Sequence, residues 1–343
     1  MTLLASAIRA AERAPLPDGV TRAGIGRLVA RSRRRLAAQP ANDPVFAEAM
    51  ALRPIAEYAQ TVNAQHYELP AAFFGFALGP RRKYSCCFYE DGAKNLEEAE
   101  IDALEATAQR ADLRDGQTIL ELGCGWGSLS LFMAEHYPAA RVVAISNSAS
   151  QRAFIEGEAA RRNLGNLTIV TADMNAFATQ ERFDRVVSVE MFEHMSNWRA
   201  LLSRIRSWMA PGGALFLHIF THRTGCYRFD HQDPSDWIAQ HFFTGGVMPS
   251  HSLIRQFPDL FLLEQDWRWS GVNYQRTALD WLANFDMRQR EIDAILAQVY
   301  GAQARLWRRR WRLFFLATAG LFGDSAGAEW GVSHYRLRPA PDA

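Results

Sequence analysis

Between about residues 115 and 220, short apolar segments alternate along the chain with longer segments of helical spacing. The apolar segments predict strands at 118–122, 141–145, 167–171, 183–189 and 214–220. The segments between them, at 128–137, 149–163 and 198–209, repeat their apolar residues with the period of a helix. This alternation predicts parallel βαβ units, and therefore an α/β fold with a doubly wound, mostly parallel sheet.

The two flanks of this core follow other patterns. Residues 1–60 are rich in Ala and Arg, with one helical stripe formed by Ile25, Leu28, Val29 and Leu36. The arginines beside that stripe, at 31 and 33–35, form either a solvated helix face or a contact surface for lipid or an anionic substrate. A break at 40–44 ends this helix and starts another. Residues 221–285 are aromatic without a regular pattern, and 288–322 are again helical.

Composition and charge narrow the class of protein. The 343 residues are 48% hydrophobic and 22% charged, which is enough for a substantial core. A net charge of +1 gives no electrostatic footprint for nucleic acid. The four cysteines form no CxxC pair, which fits a reducing compartment. With no signal peptide and no apolar run of membrane-spanning length, we expect a soluble cytoplasmic protein with at most peripheral membrane contact.

A glycine-rich loop, ELGCGWG, follows the first predicted strand and precedes a helix. Glycines let the backbone approach a ligand, and the helix N-terminus offers free N–H groups. The GxGxG spacing by itself also fits a dinucleotide loop. Glu121 stands two residues before Gly123, and a carboxylate there suits a cationic ligand. S-adenosylmethionine carries an ammonium and a sulfonium group, whereas NAD carries neither, although Glu121 could also be a structural carboxylate.

The end of the second strand carries hydroxyl and amide side chains and no acidic residue. Ser146, Asn147 and Gln151 supply both hydrogen-bond donors and acceptors, so they can bind ribose hydroxyls. The third strand is followed by Asp173. Carboxyl ends of parallel strands form the ligand-binding edge of such sheets, and the sequence therefore predicts a cofactor site there.

The fourth strand ends in VEMFEHM, which brings two carboxylates and an imidazole to the same edge. Methylation of an amine and methylation of an alkene both release a proton, so both need a base near the methyl group. We predict that Glu193 and His194 form this base, with capping of the next helix as the alternative. Glu190 either contacts a substrate ammonium group or supports the fold.

Six separated motifs make the chain recognisable. They are KYSCCF (83–88), LELGCGWG (120–127), ISNSASQ (145–151), FDRVVSVEMFEHM (183–195), DWIAQHFFTGGVMPS (236–250) and NYQRTALDWLANF (273–285). The chain resembles the methyltransferase superfamily of cyclopropane-fatty-acid synthases, mycolic-acid methyltransferases and coclaurine-type N-methyltransferases. YSCCFYEDGAKNLEEAE (84–100) is most similar to the coclaurine-type branch.

The resemblance implies a class I, Rossmann-like methyltransferase fold with helical additions at both ends. It divides the chain into a helical region at 1–80, an S-adenosylmethionine-binding core at 81–222, and a substrate cap that completes the fold at 223–343. It implies that Tyr84 and Ser85 close over the cofactor and that Gly123 and Gly125 approach its methionine part. Ser146 and Gln151 would hold the ribose, and Asp173 with Met174 the adenine.

The resemblance also implies an anion site. Cyclopropane synthases use a bound bicarbonate as base, and the matching cage here is Cys86, Glu193, His218 and Tyr274, with a backbone contact near Phe220. His218 alone on an apolar strand would otherwise be a core histidine. A set of aromatic residues has three possible roles: to line a pocket for an aromatic amine, to form the wall of an acyl tunnel, or to form part of the core. They lie at positions 237, 242, 243, 267, 269, 274 and 281.

Three functions follow from these expectations. The first is N-methylation of a small, aromatic amine, with Glu193 and His194 as base. The second is C-methylation or cyclopropanation of an unsaturated acyl chain in a lipid, assisted by bicarbonate. The third is a catalytically silent module that binds S-adenosylmethionine. No metal and no nucleic acid are expected as ligands, and a homodimer is compatible with the sequence.

Overall fold

A parallel sheet forms the centre of the computed structural model, which describes residues 3–14, 16–39, 42–58, 69–90 and 92–341. Its parallel strands are β1 (Thr118–Leu122), β2 (Arg141–Ser146), β3 (Leu167–Thr171), β4 (Phe183–Val189) and β5 (Met209–His222). Their spatial order is β3-β2-β1-β4-β5. All five predicted strands are confirmed. Strands β1, β2, β4 and β5 are largely buried, as parallel strands between helices require, whereas β3 lies at the sheet edge and exposes Thr168 and Thr171.

Four helices pack beside these strands: α5 (Leu96–Arg110), α6 (Ser128–His136), α7 (Ala149–Arg161) and α8 (Trp198–Trp208). Polar residues fix where three of them begin. The side chain of Asn95 accepts from the Glu98 N–H, that of Ser148 from the Gln151 N–H, and that of Asn197 from the Ala200 N–H. The three helices predicted at 128–137, 149–163 and 198–209 are therefore confirmed, and the observed ends lie within two residues of the predicted ends.

Two antiparallel strands complete the sheet, β8 (Phe261–Ser270) and β9 (Trp330–Pro339). The order of the seven strands is β3-β2-β1-β4-β5-β9-β8, with β9 antiparallel to both of its neighbours. The prediction that 221–285 is irregular was wrong. This region also contains β6 (Tyr227–Arg228), α9 (Trp237–His241), β7 (Val247–Met248) and most of α10 (Gly271–Met287). Strand β8 lies at the sheet edge, so charged residues interrupt its apolar pattern.

Two further predictions need correction in detail. The Pro211–Gly213 turn, predicted to precede the fifth strand, lies within β5 as a bulge: the pairing with β4 jumps from Phe183↔Met209 to Arg185↔Ala214. The helix predicted at 288–322 is two helices, α11 (Gln289–Tyr300) and α12 (Ala304–Phe322). Gly301 separates them with φ +52, a left-handed conformation that glycine adopts readily.

The helical N-terminal region packs mainly against the C-terminal helices, except for its third helix, which packs against α8. It comprises α1 (Leu3–Arg13), α2 (Asp18–Ala37), α3 (Asp43–Ala51) and α4 (Ala71–Ala77). Val29 and Leu36 of the predicted stripe are buried, whereas Leu28 is 36% exposed. Part of the predicted break at 40–44 lies outside the described residues. Among the helices that the structure describes, none has the length and apolarity needed to cross a membrane.

Candidate active site

A cavity of about 1180 Å³, open to solvent, lies at the carboxyl ends of the parallel strands. Strands β1 and β4 are neighbours there although β2 and β3 lie between them in sequence, which is the switch point where doubly wound sheets bind ligands. All ten residues predicted to hold the cofactor line this cavity: Tyr84, Ser85, Glu121, Gly123, Gly125, Ser146, Asn147, Gln151, Asp173 and Met174.

The glycine loop forms one wall. Gly123 has φ +79 and Gly125 has φ +52, a region that residues with a Cβ rarely adopt. A Cβ on Gly123 would meet the Met191 side chain at 2.6 Å, so the loop packs closely there. A Cβ on Gly125 would meet nothing within 4 Å. Gly125 therefore turns an open backbone toward the cavity, as the binding of a ligand against the main chain requires.

Glu121 lies at the end of β1, with 2% of its surface exposed. Its carboxylate accepts a hydrogen bond from the Ser130 hydroxyl. Burial raises the pKa of Glu121 to about 7, and the Ser130 hydrogen bond opposes that rise. A cationic ligand group in the cavity would favour the ionised form, so the residue fits the role predicted for it.

Polar groups at the end of β2 form a small network. Ser146 Oγ donates to Gln151 Oε1 at 2.7 Å, and the Ser148 N–H donates to Ser146 Oγ at 3.0 Å. Gln151 Nε2 is buried and has no hydrogen-bond partner in the described part of the chain. A buried amide without a partner is costly, and a ligand hydroxyl at this position would accept from it. These residues therefore fit a ribose.

Glu190 has the most elaborate hydrogen bonding of the residues in VEMFEHM. It lines the cavity, and its backbone has φ +47, an uncommon conformation that is concentrated at functional sites. Its Oε1 accepts from the Cys86 N–H at 2.9 Å and lies 3.2 Å from His218 Nε2. Its Oε2 accepts from the Tyr274 hydroxyl at 2.6 Å. Burial raises the pKa of Glu190, while the Lys83 charge and these donors oppose the rise.

Glu193 has a different environment. It is fully buried and is not among the residues that line the cavity. Its Oε1 accepts from the Phe220 N–H at 2.6 Å, and its Oε2 has no hydrogen-bond partner in the described structure. Burial and the nearby Glu190 carboxylate hold the pKa of Glu193 well above its usual range. The pKa values of both neighbouring carboxyl groups are thus raised, and the environment of Glu193 favours its neutral form.

His194 lines the cavity beside Glu190. Its ring is buried against Phe243, with 4.4 Å between ring centroids. Burial lowers the pKa of His194 to about 4, and the Glu190 charge opposes that change. His194 is therefore a neutral imidazole near pH 7, whether or not it takes part in proton transfer.

Three members of the predicted anion cage meet at one point, and that point is the Glu190 carboxylate. Cys86 contributes its backbone N–H, His218 its Nε2 and Tyr274 its hydroxyl. The structure does not bring Glu193 into this set, although Glu193 does bind the backbone at Phe220. Burial and the Glu190 charge raise the pKa of the Cys86 thiol, and the same two causes raise that of the Tyr274 phenol.

The aromatic residues for which a pocket, a tunnel and a core role were all open lie in several places. Phe242, Trp269 and Trp281 are buried core residues. The Arg110 guanidinium lies over Trp267, with 5.3 Å between the guanidinium carbon and the centroid of the Trp267 ring. Tyr84, which lines the cavity, contacts Trp281 at 5.5 Å. Phe220 and Phe243 contact each other at 5.6 Å on the side of His194.

Two buried basic residues near Glu190 were not predicted as site residues. Lys83 is 3% exposed, and its Nζ donates to Ser85 Oγ and the Cys86 carbonyl at 2.6 Å each. Its position inside the KYSCCF motif was the available signal. His334 is fully buried, and its Nε2 lies 2.9 Å from His218 Nδ1. It lies on β9, a strand that the sequence pattern did not predict.

Comparison with known proteins agrees with this architecture. The family model described as mycolic acid cyclopropane synthetase matches residues 56–326. (S)-coclaurine N-methyltransferase from Thalictrum flavum subsp. glaucum is 37% identical over 285 residues, covering 82% of this chain and 79% of the relative. Cyclopropane-fatty-acyl-phospholipid synthase from Escherichia coli strain K12 is 31% identical over 227 residues, covering 65% of this chain and 56% of the relative.

Solved structures give the same result. A crystal structure of coclaurine N-methyltransferase bound to N-methylheliamine and SAH superimposes with a TM-score of 0.91 at 32% identity, covering 98% of this chain and 100% of that one. A mycolic acid cyclopropane synthase complexed with SAH has the same fold, with a TM-score of 0.68 at 23% identity over 82% of this chain and 99% of that one. The chain belongs to the mycolic acid cyclopropane synthetase family of S-adenosylmethionine-dependent methyltransferases.

Proposed function

We propose that the protein transfers a methyl group to the nitrogen of a small aromatic amine and that Glu190 accepts the proton released. The observation that carries the proposal is the buried Glu190 carboxylate at the cofactor cavity, held by the Cys86 N–H, His218 and the Tyr274 hydroxyl. Coclaurine N-methyltransferase and pavine N-methyltransferase, at 37% and 31% identity, support nitrogen as the methyl acceptor.

The cofactor-binding residues act by position. When bound, S-adenosylmethionine supplies a methyl group that its sulfonium already activates, so the protein does not have to activate the methyl group itself. Glu121 would pair with its ammonium group, Gly125 would allow close approach, and Ser146 with Gln151 would hold the ribose. Alignment of this kind contributes on the order of 7–11 kcal/mol to lowering a bimolecular barrier.

Proton removal is the remaining task for the protein. Where the nitrogen of such an amine is aliphatic and the aromatic ring lies elsewhere in the molecule, the amine is mostly ammonium near neutral pH and has no lone pair for attack until it loses a proton. A carboxylate whose pKa is raised toward the working pH is a better proton acceptor than one at its ordinary value. The nitrogen then forms its bond to the methyl carbon as the carbon–sulfur bond breaks.

The Glu193–His194 base stays a sequence-based prediction that competes with Glu190. His194 lines the cavity and is neutral, so it can accept or orient a proton there. Glu193 lies behind the cavity wall, and its raised pKa favours the protonated form, which cannot accept a proton. We therefore assign the base to Glu190, with His194 adjacent to the path of the substrate.

Glu121 gives a pH-dependent prediction for cofactor affinity. With its pKa at about 7, Glu121 is mostly protonated at pH 6 and mostly ionised at pH 8. If the ionised form pairs with the cofactor ammonium, affinity for S-adenosylhomocysteine rises by about tenfold between these pH values. Calorimetric titration of the wild type and Glu121→Gln measures this. An equally steep rise in the Glu121→Gln variant would assign the titration to another group.

Methylation or cyclopropanation of an unsaturated acyl chain is the second candidate. It is favoured by the convergence of Cys86, His218 and Tyr274, three members of the cage predicted from the cyclopropane synthases. In this chain the donors of the cage are bound by Glu190, so the protein's own carboxylate takes the part that bicarbonate would play. We infer that bicarbonate is not needed for turnover.

One assay tests both candidates. Purified protein is incubated with methyl-labelled S-adenosylmethionine and two kinds of acceptor: a panel of secondary aliphatic amines that carry an aromatic ring, and vesicles of unsaturated phospholipid. Each reaction is run with bicarbonate present and with bicarbonate removed. We expect label in amines only, at rates that do not depend on bicarbonate. Label confined to lipid would replace the amine proposal by the acyl one. Cofactor binding without label in either acceptor would favour the silent binding module.

A further inference from the structure

A line of hydrogen bonds runs from Glu190 to Arg110 at the last residue of α5. His218 Nε2 lies 3.2 Å from Glu190 Oε1, and His218 Nδ1 lies 2.9 Å from His334 Nε2. His334 Nδ1 lies 2.8 Å from Arg110 Nη1. This line joins four separate segments of the chain. His334 and Arg110 have no part in the mechanism described above, and His218 enters it only through its contact with Glu190.

The sheet and its aromatic residues fix the two imidazoles. His218 on β5 and His334 on β9 are direct cross-strand partners, and both are fully buried. Trp269 packs edge-on against His218, with 5.3 Å between ring centroids, and at a tilt against His334, with 4.3 Å between centroids. The Arg110 guanidinium lies over the rings of Trp267 and Trp269, at 5.3 and 5.4 Å. Neither ring has room to turn without disturbing these contacts.

Arg110 sets the direction of the hydrogen bonds. A guanidinium only donates, so His334 Nδ1 must accept and carries no proton. Burial and the Arg110 charge lower the pKa of both His218 and His334 well below the usual range, so each ring is neutral with a single N–H. The His334 proton is therefore on Nε2 and is donated to His218 Nδ1. The His218 proton must in turn be on Nε2, directed at Glu190.

This direction excludes an outward proton wire. A proton on Glu190 would face the N–H of His218, which has no lone pair to receive it. To reverse the line, Arg110 would have to accept a hydrogen bond, which it cannot do. The line therefore does not conduct a proton away from Glu190. It supplies a donor to the Glu190 carboxylate, and a donor to the charged form of an acid favours that form.

We propose that Arg110 and His334 are positioning residues that lock His218 in its Nε2–H tautomer and thereby keep Glu190 ionised for proton acceptance. The inference rests on the proposed function of Glu190 as the base. It assigns a role in methyl transfer to a helix end and a C-terminal strand that do not line the cavity.

Other charged and titratable groups surround this line of hydrogen bonds. They are Lys83, Cys86, Glu193, His194 and Tyr274. Lys83 acts on His218 and Glu190 through its charge, since its Nζ donates to Ser85 and Cys86. None of the hydrogen bonds described for these groups reaches a ring nitrogen of His334. Arg110 is the group that the geometry places against His334 Nδ1.

Nuclear magnetic resonance tests the tautomers without any cofactor. Two-bond proton–nitrogen spectra of ¹⁵N-labelled protein distinguish Nδ1–H from Nε2–H rings, with signals assigned through His334→Gln and His218→Gln variants. Both rings are expected as neutral Nε2–H tautomers from about pH 6.5 to 8. A charged ring or an Nδ1–H tautomer at His218 in the wild type would overturn the proposal.

Kinetics test the consequence. Arg110→Met keeps an unbranched side chain between the tryptophans but removes the donor. In the pH profile of kcat, the acid limb is expected to shift to higher pH by about one unit. At pH values below the limb, kcat is therefore expected to fall about tenfold. KM for amine and cofactor should stay within about twofold, since no binding contact is removed. An unmoved acid limb in a folded Arg110→Met protein would overturn the proposal.

Paired variants separate a hydrogen-bonding role from a structural one. His334→Gln can accept from Arg110 and donate to His218, so it should retain the wild-type limb, whereas His334→Leu should shift it. Arg338→Met is the matched control on β9, where Arg338 pairs with Glu264 at 3.1 Å, and it should change nothing. Full activity of Glu190→Gln would refute the assignment of Glu190 as the base but would not affect the measured tautomers of His218 and His334. Failure of the proposed function and failure of the tautomer proposal are therefore distinguishable.

Discussion

Replacing Glu190 by Gln is expected to lower kcat by 10²- to 10⁴-fold, the usual contribution of an oriented base. Glutamine retains the size of the side chain. Its amide oxygen can accept from the Cys86 N–H and His218, and its amide nitrogen can donate to the Tyr274 oxygen. The substitution therefore removes the proton acceptor while keeping the geometry, so affinity for S-adenosylhomocysteine should change by less than about threefold.

The matched control for this variant is Glu193→Gln. Glu193 is three residues away and fully buried, and its hydrogen bond is to the Phe220 N–H. Because burial and the Glu190 charge raise the pKa of Glu193 and favour its neutral form, replacement by a neutral amide is expected to disturb the charge near the cavity little. Steady-state assays on one amine with both variants separate the two assignments. Near-normal kcat in Glu190→Gln, together with a large loss in Glu193→Gln, would restore the Glu193–His194 base.

Gly125→Val is expected to weaken cofactor binding by at least about 100-fold, or about 2.7 kcal/mol. The branched side chain would project into open space at the cavity wall, where the cofactor would approach the main chain. It would also place a β-branched residue at φ +52, which adds strain to the loop. Titration with S-adenosylhomocysteine measures the affinity, and thermal unfolding measures the strain.

Gly116→Val separates these two effects. Gly116 has φ +81, and a Cβ there would also meet nothing within 4 Å, but it does not line the cavity. The two variants should lose similar stability, while Gly116→Val keeps wild-type affinity. Equal loss of affinity in both variants would show that strain in the fold, and not crowding of the cavity, weakens binding.

The cofactor half of the site was predictable because its constraints are local. A loop that must approach a ligand needs Gly123 and Gly125, and buried parallel strands read as apolar runs. The ends of β1, β2, β3 and β4 therefore follow from the sequence. So does the cavity lining, since parallel strands bring their carboxyl ends to one edge.

The half of the site around Glu190 was not predictable because its constraints are long-range. Glu190 and Glu193 are similar in sequence, and what distinguishes them is the φ of +47 at Glu190 and donors that arrive from residues 86, 218 and 274. The partner of His218 is 116 residues away on β9, in an antiparallel pairing that periodicity did not indicate. In this structure Cys86, His218 and Tyr274 of the predicted cage lie around Glu190, whereas Glu193 binds the Phe220 N–H, and the cage itself stays a prediction.

The most direct test of the central claim is the pH dependence of single-turnover methyl transfer to one amine in wild type, Glu190→Gln and Glu193→Gln. The titration of the amine itself is common to all three, so differences between them belong to the protein. If Glu190 accepts the proton, wild type and Glu193→Gln share an acid limb, and Glu190→Gln lacks that limb with a rate lower by 10²-fold or more. A Glu190→Gln protein with the wild-type rate and limb would contradict the account.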